Sequence, residues 1–115
     1  MSIERYKVGP RIAAAAKHGN TIYLAGTVAD DTKQDAKGQT AQILRKIDEA
    51  LAHFGSNKSK IVWANVWVAD IRYYDGMNAA WDAWLDKANA PARATVESRL
   101  ATPDYLVEIA VVAAA

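Results

Sequence analysis

The chain contains no cysteine, which excludes disulfide frameworks, thiol nucleophiles and thiolate metal sites, and is compatible with a reducing compartment. An excess of one charge is missing too. Fourteen Lys and Arg stand against thirteen Asp and Glu, a net charge of +1, so no one-sided field gathers nucleic acid phosphates or anionic lipid. Neither a nucleic acid nor a membrane is an expected partner. No apolar run approaches the roughly 20 residues a bilayer requires, and the opening MSIERYKVGPR has no apolar core of signal-peptide length. A cytoplasmic protein is expected. HExxH, paired His/Asp spacing, a Gly-rich phosphate loop and a GxSxG elbow are all absent, which argues against a metal site, a nucleotide site and an α/β-hydrolase triad. No repeat, low-complexity tract or Pro/Gly/Ser linker divides the 115 residues, so one domain spanning 1–115 with one core is expected.

What is present is a globular mixture, 51% hydrophobic and 23% charged, with two distinct periodicities. Arg11 to Ala16 and Thr21 to Ala25 read as strands joined through Lys17-His18-Gly19-Asn20, where Gly and Asn tolerate positive φ. From Gln39 to Phe54, Ile43, Leu44, Ile47, Leu51 and Phe54 recur at helical spacing, and Gly55 is placed as a stop. Ile61 to Ala69 reads as a strand apolar on both faces: Val62, Ala64, Val66 and Val68 on one, Ile61, Trp63, Trp67 and Ala69 on the other. Asp75 is placed to cap a second helix, with Met77, Ala80, Trp81, Trp84, Leu85 and Ala88 inward and Pro91 as its end. Arg93 to Leu100 alternates as a strand, and Tyr105 to Ala113 is apolar on both faces except at Glu108.

The expected fold is therefore α+β, in the order β-β-α-β-α-β-β, a mixed sheet with two helices packed on one face. Two helices cover one face only, while two strands are apolar on both. An open apolar face larger than a few hundred Å² is rare on a monomer, so a homo-oligomer is expected.

Few residues look chemical. Glu108 sits between Leu106 and Ala110 on its strand face, and a buried carboxylate there has either a structural partner or a chemical task. Arg93 follows Pro91 at a strand start, and its planar fork of donors suits a carboxylate better than a lysine would; a solvated or ion-paired surface role is the alternative. His18 in the turn and His53 near a helix end read as structural. Trp81 and Trp84 lie on the buried helical stripe and read as core packing.

Pro91, Ala92, Arg93, Ala94 and Val96, then Val107, Glu108 and Ile109, resemble the RidA/YjgF family pattern at that family's spacing. Gly9-Pro10, Ala25-Gly26, Gln39-Thr40, Val66 to Asp70 and Asn78 extend the resemblance from Gly9 to Ala113. It implies a chorismate mutase-like fold and a homotrimer with active sites between subunits. It also implies hydrolysis of small anionic 2-imino or enamine acids to 2-oxo acids and ammonia, without a cofactor or metal. By the same resemblance Arg93 would hold the substrate carboxylate and Glu108 would place or activate water. Arg11, Asn78, Thr95, Ala25 and Gly26 would line the substrate site. Arg11, Thr95 and Ala25 depart from the best-studied branch, where tyrosine, cysteine and serine stand, so a second substrate charge or a pairing of Arg11 with Glu108 both remain open. A catalytically silent ligand-binding or regulatory oligomer is the second reading. A ribonuclease or translation inhibitor is the third, and the near-zero net charge opposes it.

Overall fold

Asp35 opens the first helix because its carboxylate accepts a hydrogen bond from the Gly38 N–H at 2.9 Å, satisfying one of the donors that a helix start leaves free. This helix, α1, runs Ala36–His53 and turns Ile43, Leu44, Ile47 and Leu51 inward. It ends where Gly55 takes a φ of 76°, a left-handed conformation that glycine adopts without strain. The structure, a computed structural model, describes residues 2–115. Its other principal elements are the strands β1 (Ile3–Val8), β2 (Ala13–His18), β3 (Thr21–Leu24), β4 (Ile61–Val68), β5 (Ala92–Glu97) and β6 (Val107–Ala114), and the helix α2 (Tyr74–Trp84).

The strands form one mixed sheet in the order β1-β2-β3-β6-β4-β5, in which only β4 and β5 run parallel. Both helices lie on the same face. Ile22, Leu24, Ala64, Val66, Val68, Val107, Ile109 and Val111 from the sheet meet the α1 stripe and Met77 and Trp81 of α2 in one core. Burying each large aliphatic side chain contributes roughly 1.5–3 kcal/mol. The molecule is 20 Å across its shortest dimension, a sheet and one helical layer.

The opposite sheet face carries Tyr23, Trp63, Asn65, Trp67, Ala94, Val96, Glu108, Ala110 and Val112, with Tyr23, Trp63 and Val96 exposed by 51%, 38% and 51%. This is the uncovered apolar face that the patterning of β4 and β6 requires.

Several boundaries differ from expectation. The order gains an N-terminal strand: β1 lies at the sheet edge, and only Tyr6 of its six residues is even half-buried, so it shows no apolar period. A register shift between Ile61 and Trp63 sends Ile61 into the core and leaves Val62 exposed, the reverse of simple alternation. His18 is the last residue of β2 rather than part of the turn, and Gly19 takes the positive φ. Asp75 lies in the first turn of α2 and does not cap it. The helix stops at Trp84, ahead of Pro91, because Asp86 starts a separate 3-10 turn that leaves Ala88 exposed.

Candidate functional site

Asp86 fixes the approach to β5. Its carboxylate accepts hydrogen bonds from Asn89 Nδ2 (2.8 Å), Ser59 Oγ (2.7 Å) and the Ala88 N–H (3.1 Å). These contacts, Asn89 foremost, hold its carboxyl below the usual range. Six residues on, β5 begins beside β4 with Arg93 opposite Ala64. Ala64 is fully buried on the helical face of the sheet, and Arg93 turns toward α2 on that same face.

Its Nη1 donates to Asn78 Oδ1 at 2.8 Å and approaches Met77 Sδ at 3.9 Å, and its guanidinium carbon lies 5.1 Å from the Trp81 ring centre. Among the described residues the ion pairs are Lys46–Asp30 and Arg72–Asp70, so Arg93 has no carboxylate partner. A guanidinium only donates, which fixes the Asn78 carboxamide with its oxygen toward Arg93 and its Nδ2 donors elsewhere. Thr95 shares this strand face. Its Oγ1 is the buried side-chain polar atom without a hydrogen-bond partner among the described residues.

Glu108 stands opposite Trp67 on the uncovered sheet face. Burial pushes its carboxyl above the ordinary glutamate range, and among the described residues no cation acts in the other direction. It packs against Gly26, where a Cβ would collide with its carboxylate. Gly26 is held by its neighbours: the Ala25 N–H donates to Ala14 O, and Thr27 exchanges backbone hydrogen bonds with Ile109. This β3–β6 junction thus presents the carboxylate beside an exposed stretch of backbone.

Arg93 and Glu108 do not meet within one chain, contrary to the expected mutual stabilisation of their charges. Arg93 points to the helical face and Glu108 to the other. β4 lies between their strands, and the registers set them three residues apart, so they are separated by about 10 Å across the sheet and about 10 Å along it. Asn78 joins Arg93, and Gly26 joins Glu108. Arg11 is exposed in the loop between β1 and β2 and pairs with neither. A groove of about 430 Å³ between α1 and α2, lined by Leu44, Ala80 and Trp84 among others, includes neither Arg93 nor Glu108. The same holds for the one of about 410 Å³ beside residues 99–103.

Two contributors escaped the sequence reading. Trp81 is 4% exposed, as a core residue should be, yet one face of its ring lies against Arg93. Gln39 is fully buried: its Nε2 donates to the Thr32, Gln34 and Asp104 carbonyls and its Oε1 accepts from the Leu106 N–H. It thereby ties the start of α1 to the segment that leads into β6 and Glu108. The apolar period marks Trp81 for burial, and nothing in it distinguishes a ring that also meets a cation.

A family model described as Endoribonuclease L-PSP matches residues 6–115. A RutC family protein of Haemophilus influenzae is 43% identical over 114 residues, covering 98% of each chain, and the RutC family protein YoaB of Escherichia coli K12 is 43% identical over 99% of each. The crystal structure of an uncharacterized protein from Pseudomonas aeruginosa superposes with a TM-score of 0.96 at 42% identity over 98% of each chain. NMB1025 of Neisseria meningitidis, a member of the YjgF protein family, gives the same TM-score at 38% identity, over 99% of this chain and 95% of that one.

Proposed function

Because the chain belongs to the RutC/YjgF family, we propose that it hydrolyses small 2-imino acids and their enamine tautomers to 2-oxo acids and ammonia. The observation that carries this reading is Arg93: half-buried, oriented by Asn78 and Trp81, and without a carboxylate partner among the described residues. A guanidinium so held is ready for a planar carboxylate.

With the carboxylate anchored, the protonated imine carbon is electrophilic enough to need mainly orientation and a placed water. Glu108 removes a proton from that water as its oxygen bonds to the carbon. The resulting carbinolamine takes a proton at nitrogen, and ammonia departs as the oxygen loses its proton and the carbonyl forms. A carboxyl raised by burial is a better base than an ordinary glutamate.

Since the two groups of one chain face opposite ways, the site is read as composite, with Arg93 of one protomer and Glu108 of another, in a homo-oligomer closed over the apolar sheet face, a trimer by family resemblance. Thr95, Ala25 and Gly26 are read as lining it, and Arg11 as reaching its rim. The absence of cysteine is compatible with the accompanying reading of a cytoplasmic enzyme.

A coupled assay tests the activity: an amino acid oxidase generates imine in situ, and ammonia release is followed with wild type and with Arg93→Ala. Acceleration by wild type that the substitution abolishes is expected. If small and acidic imines alike decay at the buffer rate, hydrolysis is wrong, and tight binding of a small acid without turnover would then make this a ligand-binding oligomer.

A further inference from the structure

Arg93 is gripped from two directions, and one of them leads away from the substrate. The Trp81 ring that lies under the guanidinium itself packs at a tilt against Trp84, with ring centres 5.5 Å apart and planes inclined at 55°. Trp84 is fixed in turn from outside α2: its Nε1 donates to Asp48 Oδ2 of α1 at 2.9 Å, and Lys58 covers its ring at 5.3 Å while donating to its backbone carbonyl. Trp81 and Trp84 are three residues apart on one helix, so they share a face. Asp48, Trp84, Trp81 and Arg93 therefore form a continuous row of contacts from α1, through α2, to the edge strand.

We infer that Trp81 is a positioning residue for Arg93, and that the row of contacts anchored at Asp48 is what holds the guanidinium flat and ready before ligand arrives. Asn78 Oδ1 and Met77 Sδ engage Nη1, and the Trp81 ring lies under the guanidinium carbon. The remaining in-plane donors are left free for two carboxylate oxygens. Without the indole only the Asn78 and Met77 contacts at Nη1 would restrain the head group, and the side chain would recover rotamer freedom that ligand must then remove. The substrate-facing part of this inference rests on the hydrolase reading above; the holding of Arg93 does not.

The test separates the two. In ligand-free protein, the order of the Arg93 Nε–H vector and its ring-current shift are measured by NMR for wild type, Trp81→Phe, Trp81→Leu and Trp84→Phe. Retention of both with Trp81→Phe, their loss with Trp81→Leu, and partial loosening with Trp84→Phe, which lacks the donor to Asp48, are expected. Should Trp81→Leu fail to fold, Trp84→Phe carries the same test from one step further out.

Steady-state kinetics on an imine generated in situ then give the functional arm. Trp81→Leu is expected to raise KM about three- to tenfold, the factor that corresponds to losing a part-buried cation–π contact, with a smaller change in kcat. Ile47→Val, a core substitution on α1, serves as the control: it lowers stability without moving KM. An Arg93 Nε–H equally ordered with leucine or tryptophan at position 81 overturns the inference. An ordered Arg93 that depends on Trp81 in a protein without imine hydrolysis upholds the holding role and overturns the hydrolase reading instead.

Discussion

At the scale of single residues, the proposed chemistry rests on Arg93 and Glu108, and both positions stand out in the sequence. Each breaks its local pattern: a bidentate donor at a strand start, and a carboxylate in an apolar run. Their surroundings were less legible. The stacking of Trp81 was hidden because helical spacing reports burial and not which side chain from another element arrives on the ring. Asn78 was marked only by resemblance, and the structure gives it a physical task in orienting Arg93. Replacing it by aspartate would set a carboxylate against the guanidinium to compete with substrate. Asn78→Asp should raise KM roughly ten- to a hundredfold, the worth of a charge-assisted hydrogen bond, without lowering thermal stability. Glu108 gives a prediction with a sign. Burial raises its pKa in the folded chain, so the stability tied to its neutral form is fully present below the ordinary glutamate value. That contribution is lost as pH rises through the raised value. The proposed hydrolysis uses the carboxylate and runs the other way: kcat/KM should increase with pH through that same raised value. Glu108→Gln should abolish hydrolysis across the pH range and flatten the matching slope in stability, as read by chemical denaturation over the same range.

At the scale of elements, strands and helices with a clear apolar period were read correctly in kind, and the discrepancies share a cause. The edge strand β1 buries little, so no period announces it. In β4 the shift at Ile61–Trp63 inverts the facing of Val62, and strict alternation carries no sign of a bulge. The link between the start of α1 and β6 was equally invisible: Gln39 reads as a polar residue at a helix start, whereas its carboxamide is the buried strut between segments more than 60 residues apart. Gln39→Leu would orphan the Leu106 N–H and three carbonyls. A loss of about 1–3 kcal/mol in unfolding free energy is expected, from part-buried groups deprived of this partner. Because the loosened segment leads directly into Glu108, kcat/KM should fall in the same variant, measured well below its unfolding transition.

At the scale of the whole molecule, the sequence signal was a mismatch in covering: two helices, one sheet, and strands apolar on both sides. The structure gives that mismatch a location, a face bearing Tyr23, Trp63, Trp67 and Val96, with Glu108 among them. Trp63 lies outside the core on this face, so Trp63→Glu should leave the fold intact and shift the protein toward monomer in sedimentation velocity, with hydrolysis lost along with assembly. The placement of Arg93 and Glu108 on opposite sheet faces makes the most direct experiment possible. Arg93→Ala and Glu108→Gln chains are assayed separately for imine hydrolysis, then unfolded together in equal amounts, refolded and assayed again. If substrate is held by one protomer and water by another, each variant alone is inactive and the mixture recovers roughly a quarter of wild-type activity, the share of sites that random assembly leaves with both groups. A mixture as inactive as its components, under conditions where refolded wild type is active, would contradict the composite site.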